Sequence, residues 1–111
     1  MGIKDVEIKY NEELMQMVWE RQYENWTTVN AANIALSKFY NNNDQLLSAD
    51  SHRFLWDIMK GSKTGSKTIR AGVPKGTVVA HKTGHSGKNN EGVTGAQNDI
   101  GIIFLPDGRH Y

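Results

Sequence analysis

Apolar and polar positions follow three successive patterns along this chain. Near the start, Val6-Glu7-Ile8-Lys9-Tyr10 alternates in twos, which predicts a short extended segment. Asn11 to Trp19 places its acids first and its apolar residues after, the order of a short amphipathic turn. Residues 21–28 are irregular and polar around Tyr23 and Trp26. From Thr28 the period lengthens. Ala31, Ile34, Ala35, Leu36 and Phe39 fall on one helical stripe, with Thr27 or Thr28 as its cap. Asn41-Asn42-Asn43-Asp44 breaks that helix. Ser48 caps a second one, with Asp50 in the first turn, where a carboxylate is favoured. Phe54, Leu55, Ile58 and Met59 are its expected buried face, and Gly61 ends it.

The last third turns to β character. Thr77 to Thr83 is rich in β-branched residues, and Asp99 to Leu105 is a nearly continuous apolar run. Between them Ser86 to Gln97 carries Gly87, Asn89, Asn90, Gly92 and Gly95, the composition of a loop. Pro106-Asp107-Gly108 predicts a turn: proline fixes φ, aspartate bonds its own backbone, and glycine accepts positive φ. The expected product is an antiparallel pair with a third strand beginning at His110. Helices followed by strands predict an α+β fold, with helices packed on one side of an antiparallel sheet.

Composition excludes more than it selects. The 111 residues suit one domain, and 38% hydrophobic and 23% charged residues are ordinary for a globular chain. A net charge of +1 argues against electrostatic binding to nucleic acid. No cysteine means no disulfide and no thiolate metal site. The N-terminus has no apolar signal-peptide core, and no run reaches the roughly 20 apolar residues of a membrane span.

Several motifs invite chemistry and fail on inspection. Gly61-Ser-Lys-Thr and Gly65-Ser-Lys-Thr repeat in tandem, but a phosphate loop needs Gly directly before Lys and a strand before the motif. His81 and His85 share a strand face, yet four strand residues span roughly 13 Å, too far to share a zinc with bonds of about 2 Å. His52 lies on a helix and His110 at the end of the chain. Trp19, Tyr23, Trp26 and Trp56 read as core and loop anchors. Asn25-Trp26-Thr27 is a formal glycosylation sequon of a kind that arises by chance. No metal and no cofactor are expected.

Lys82-Thr83-Gly84 carries more. Three residues are a weak signal, but they lie within Val79-Ala80-His81-Lys82-Thr83-Gly84, followed by Asn98-Asp99-Ile100-Gly101-Ile102-Ile103 and Leu105-Pro106-Asp107-Gly108. This set closely resembles the corresponding strands of class A serine β-lactamases, which share Lys-Thr-Gly with penicillin-binding proteins. It looks most like the PER- and CfxA-like branch with an enlarged omega loop, and the resemblance runs from Gly2 onward. It implies part of the α/β sandwich of the β-lactamase/transpeptidase-like fold. Residues 1–28 would be the omega-loop region, 28–75 the helical part and 76–111 the sheet strands, in a single partial domain. It also implies a small-molecule β-lactam substrate.

Residue by residue, the resemblance assigns Lys82 to the substrate carboxylate and to the field around the nucleophile. Thr83 donates its hydroxyl to the same carboxylate. Gly84 leaves room along the strand edge. The backbone N–H of His85 is one of two oxyanion donors, each worth on the order of 10²–10³ in rate; relatives commonly carry Ser or Thr there. Glu12 falls where this branch has the base that activates the deacylating water. Glu13 competes for that role, and the spacing to Trp26 favours Glu12. Gln16 falls where a side chain positions that water.

The departures are as informative. The six serines are Ser37, Ser48, Ser51, Ser62, Ser66 and Ser86, and none has Lys three residues on. Ser-x-Asn is absent too. In the family both motifs precede the omega loop, so the chain reads as a C-terminal piece, inactive alone, whose partner would be the missing N-terminal part of the same gene. Close relatives place Arg where Thr68 stands; Arg70, two positions on, points elsewhere. Full-length members act in the periplasm or outside the cell, and this chain shows no signal for export. Two other readings stay open. A penicillin-binding transpeptidase shares Lys-Thr-Gly but lacks the omega-loop Glu. A non-catalytic remnant or binding module would explain the absent Ser-x-x-Lys.

Overall fold

A computed structural model describes residues 2–111. They divide into two compact units, each built from two stretches of chain: residues up to Ser37 with Gly84–Gln97, and Lys38–Thr83 with Asn98–Tyr111.

In the first unit, strand β1 (Val6–Glu7) pairs antiparallel with β2 (Trp26–Thr27), Val6 opposite Thr27 and Glu7 opposite Trp26. Helix α1 (Glu12–Met17) starts where Asn11 Oδ1 accepts the Leu14 N–H at 2.9 Å. A 3-10 segment, Trp19–Glu24, follows, and Trp19 packs edge-on against Tyr23 with centroids 5.3 Å apart. The stretch expected to be irregular is therefore ordered. Its closure depends on Asn25, whose Oδ1 accepts from the Lys9 and Tyr10 N–H groups at 2.9 and 3.0 Å. Its Nδ2 donates to the Tyr10 carbonyl at 2.7 Å. The sequon asparagine is thus engaged in the fold. Helix α2 (Val29–Asn41) begins at Thr28, whose Oγ1 accepts the Ala31 N–H at 3.1 Å. Of its apolar stripe Ala31 is buried and Ile34 stays exposed.

The Gly/Asn-rich span from Ser86 is more regular than a loop signal suggests. Asn89 Oδ1 accepts from the Glu91 and Val93 N–H groups at 3.0 and 2.8 Å, folding the chain back so that Lys88 bridges Thr94. Ser86 Oγ accepts from Ala96 N–H at 3.0 Å and closes the excursion.

In the second unit, helix α3 (Ala49–Gly61) is capped by Ser48 as expected, Oγ accepting the Ser51 N–H at 3.2 Å. Its buried side shares only Met59 with the expected one. Phe54 and Ile58 are 64% and 52% exposed. The half-buried residues are His52, Trp56 and Met59. Successive helical positions turn by about 100°, so Ile58 lies on the far side from Trp56. Trp56 packs on Phe39 and Phe104, with centroids at 4.8 and 5.6 Å, and His52 Nε2 lies 2.6 Å from the Phe39 carbonyl. This aromatic packing selects the helix face, and counting aliphatic residues misses it.

Strands β3 (Val78–His85) and β4 (Gln97–Phe104) form the two-stranded antiparallel sheet. Val79, Ala80, His81 and Ile102 are its buried residues. Three consecutive buried positions on β3 mean that both faces of that strand are covered there. Gly101 makes the pairing close: a Cβ at that position would meet the Ala80 carbonyl oxygen at 2.6 Å. After β4 the turn forms as expected, Gly108 at φ +86 donating to the Leu105 carbonyl at 3.1 Å. The chain then pairs back on β4. Phe104 bridges His110, and Ile103 and Tyr111 exchange N–H···O bonds of 2.7 and 3.0 Å.

Candidate active site

The second unit holds Lys82, Thr83 and a segment laid against their strand. Lys82 is exposed on β3, and its Nζ donates to the Thr83 carbonyl. Thr83 Oγ1 lies 2.9 Å from Thr64 Oγ1, which lies 3.0 Å from Ser62 Oγ. Gly65, at φ +64, brings its backbone onto the strand: a Cβ there would come within 2.7 Å of Thr83 Cγ2 and 3.1 Å of His81 Cε1. The tandem Gly-Ser-Lys-Thr repeat therefore serves to approach a strand.

Behind Thr83 sits a buried polar cluster. His81 Nδ1 lies 2.9 Å from Asp99 Oδ1, and the two side chains are 0% and 3% exposed. Thr68 Oγ1 and the Ile69 N–H donate to Asp99 Oδ2, the latter at 3.3 Å. Burial pushes the Asp99 carboxyl up, but the hydrogen bonds from Thr68, His81 and Ile69 outweigh it and hold the group below its ordinary value. Asp99 thus joins the 3-10 segment Ile69–Gly72 and the residue before it to both strands. Thr68 points its hydroxyl inward: its one proton goes to Asp99, and the Gly65 carbonyl lies 2.8 Å from the same oxygen. Arg70 reaches away, its Nη2 donating to the Lys60 carbonyl at 3.2 Å.

β3 continues through Gly84 and His85. A Cβ at Gly84 would meet nothing within 4 Å, so its flank is open. The His85 side chain is exposed, and its Nδ1 accepts the Gly87 N–H at 3.0 Å, which places the neutral ring's proton on Nε2.

In the first unit Glu12 and Glu13 open α1, both exposed, and Gln16 follows Glu12 by one turn on the same helix face. Arg21 Nη1 donates to the Leu14 carbonyl at 3.2 Å, holding the 3-10 segment against this helix. Among the described residues, no three His, Cys, Asp or Glu side chains gather as a metal-binding group.

Ser62, Thr64, His81 and Asp99 are the residues that reading the chain as a string passes over. For two of them a signal exists. An aspartate opening an apolar strand and a histidine inside a buried one are each costly alone, so each implies a partner.

A model described as the Beta-lactamase enzyme family matches residues 1–111. The chain is 50% identical over 105 residues to β-lactamase VEB-1 of Pseudomonas aeruginosa, covering 95% of this chain and 35% of that protein. It is 45% identical over 109 residues to the extended-spectrum β-lactamase PER-1 of the same organism, covering 98% and 34%. The crystal structure of TLA-3 extended-spectrum β-lactamase superposes with a TM-score of 0.89 at 50% identity, covering 98% of this chain and 39% of that one. The chain thus spans about a third of the length of the curated relatives it matches.

Proposed function

This chain belongs to the β-lactamase enzyme family, as a relative of its class A hydrolases, and on that premise we propose that it supplies one part of the site of an enzyme that opens β-lactam rings through an acyl-enzyme. The observation that carries the reading is the strand Lys82-Thr83-Gly84, with an exposed lysine, a threonine hydroxyl 2.9 Å from Thr64 Oγ1 and an open flank at Gly84.

In this reading the substrate carboxylate lies between the Lys82 ammonium and the Thr83 hydroxyl. The scissile carbonyl points its oxygen at the His85 N–H, where negative charge develops. Glu12 takes a proton from water as the water oxygen attacks the acyl carbonyl, and Gln16 holds that water. The tetrahedral intermediate then collapses, the serine oxygen leaves and takes up the proton held by Glu12, and the opened product departs. The serine comes from outside these 111 residues, since none of the six present is followed by Lys at the third position. Alone, the chain is inactive in this reading. The whole enzyme acts in the periplasm or outside the cell, where β-lactams arrive, and contributes to antibiotic resistance.

The test is a graft of this chain in place of the aligned segment of VEB-1, assayed with a chromogenic cephalosporin. Turnover is expected from the graft and none from the 111 residues alone. In the graft, Glu12→Ala should accumulate acyl-enzyme, seen as added mass on the protein. Undiminished hydrolysis by Glu12→Ala removes the deacylation role and favours a transpeptidase-like site. An inactive graft that is folded favours a non-catalytic module.

A further inference from the structure

The geometry points to Thr64 as a positioning residue that aims the hydroxyl of Thr83 at the substrate carboxylate. The inference rests on the reading of Thr83 as a carboxylate donor and adds a residue to it.

A hydroxyl has one proton to give and two lone pairs to accept with. If Thr83 gives its only proton to a substrate, whatever else it bonds must be a donor to it. Thr64 Oγ1 is 2.9 Å away, and Ser62 Oγ stands 3.0 Å behind Thr64. A series running Ser62 to Thr64 to Thr83 satisfies each oxygen and leaves the last proton free. Hydrogen bonds aligned in one direction polarise one another, so the outermost donor is strengthened. The bond also selects one rotamer for Thr83, a β-branched side chain with few to choose from.

Thr64 is exposed, and an exposed threonine pair is ordinarily incidental. Its backbone, however, is not free to drift. Gly65 lies so close to the strand that a Cβ there would come within 2.7 Å of Thr83 Cγ2. Three residues on, Thr68 donates its N–H to the Gly65 carbonyl at 3.1 Å and its hydroxyl to Asp99, which holds His81 of the same strand. The segment is therefore fixed to β3 immediately after Thr64, at Gly65 and again at Thr68.

The experiment uses the VEB-1 graft with Thr64→Val, Thr64→Ser and Thr83→Val. Valine keeps the shape and deletes the hydroxyl; serine keeps the hydroxyl. Thr64→Val is expected to raise KM about five- to ten-fold, the effect of one hydrogen bond, with kcat within about two-fold. Thr64→Ser should restore KM to within about two-fold of the parent. If Thr83→Val raises KM and Thr64→Val does not, this inference is overturned while the carboxylate role of Thr83 stands. If Thr83→Val leaves KM unchanged, the underlying reading is the one that fails, and this one with it. Should the graft show no turnover, the 111-residue chain decides by its Thr83 three-bond N–Cγ2 coupling. One rotamer in the parent and Thr64→Ser with averaging in Thr64→Val supports the inference, and no change in Thr64→Val overturns it.

Discussion

Asp99 Oδ1 lies 2.9 Å from His81 Nδ1, with the imidazole fully buried and the carboxylate nearly so, directly before Lys82 in the chain. A buried carboxylate is tolerated only when its lone pairs are filled, and Thr68, Ile69 and His81 fill them. Removing His81 leaves Thr68 and Ile69 on Oδ2 but strips Asp99 Oδ1 of its donor. His81→Leu should therefore cost about 1–3 kcal/mol in denaturant unfolding. His81→Asn, whose Nδ2–H can stand in for the Nδ1–H, should cost less. Equal losses in the two variants would show that volume, not the hydrogen bond, is what matters at this position.

Asp99 also sets an expectation for acid. Its folded carboxyl is held below the unfolded value of about 3.9. Its contribution is therefore fully present above that value and is lost as pH falls through the lower folded one. Unfolding free energy followed below about pH 4 should decline with a proton-uptake slope that Asp99→Asn reduces, the remainder belonging to carboxylates such as Glu24 and Asp107 that are also held low. An identical acid limb in the variant would assign the slope to other carboxylates.

Two glycines should resist alanine for different reasons. Gly65 combines φ +64 with side chains in the way, at 2.6 Å for Thr68 Oγ1 and 2.7 Å for Thr83 Cγ2. Gly65→Ala should cost about 1–2 kcal/mol from the left-handed backbone alone, plus the displacement of Thr83. At Gly101 the obstacle is backbone, the Ala80 carbonyl at 2.6 Å, which cannot rotate aside. Gly101→Ala should therefore open the β3–β4 pairing, read as faster amide exchange at Ala80 and Ile102.

In the graft, Glu12→Gln should slow deacylation by about 10²–10⁴, the range of a general base, while acylation still proceeds. Glu13→Gln is the control, since both acids are exposed in the first turn of α1. The opposite pattern would move the base to Glu13.

What was legible in the chain was local. The caps at Thr28 and Ser48 and the turn at Gly108 lie within a few residues of what they organise, so residue type alone reports them. The strands needed only their own composition. The site needed more. His81 and Asp99 are 18 residues apart, Thr64 and Thr83 are 19, and Thr68 and Asp99 are 31. Nothing in the local pattern chooses among partners at such separations. The α3 face was misjudged for the same reason: Trp56 is turned inward by Phe104 on a distant strand. Lys82, Thr83 and Gly84 were found because their order recurs in a family, not because of any period.

The bonds between Asn25 and the backbone at Lys9 and Tyr10 bear on how this protein can diversify. They close the stretch between positions 10 and 25 into a ring with fixed ends. For a flexible ring of this kind, doubling the length costs only about 0.6 kcal/mol in closure entropy. Outside Glu12, Gln16 and the cap at Asn11, residues between positions 11 and 24 can be exchanged while the anchorage stays put. One asparagine thereby separates inheritance of the frame from variation in the lip, and descendants of this chain have their cheapest route to new chemistry there.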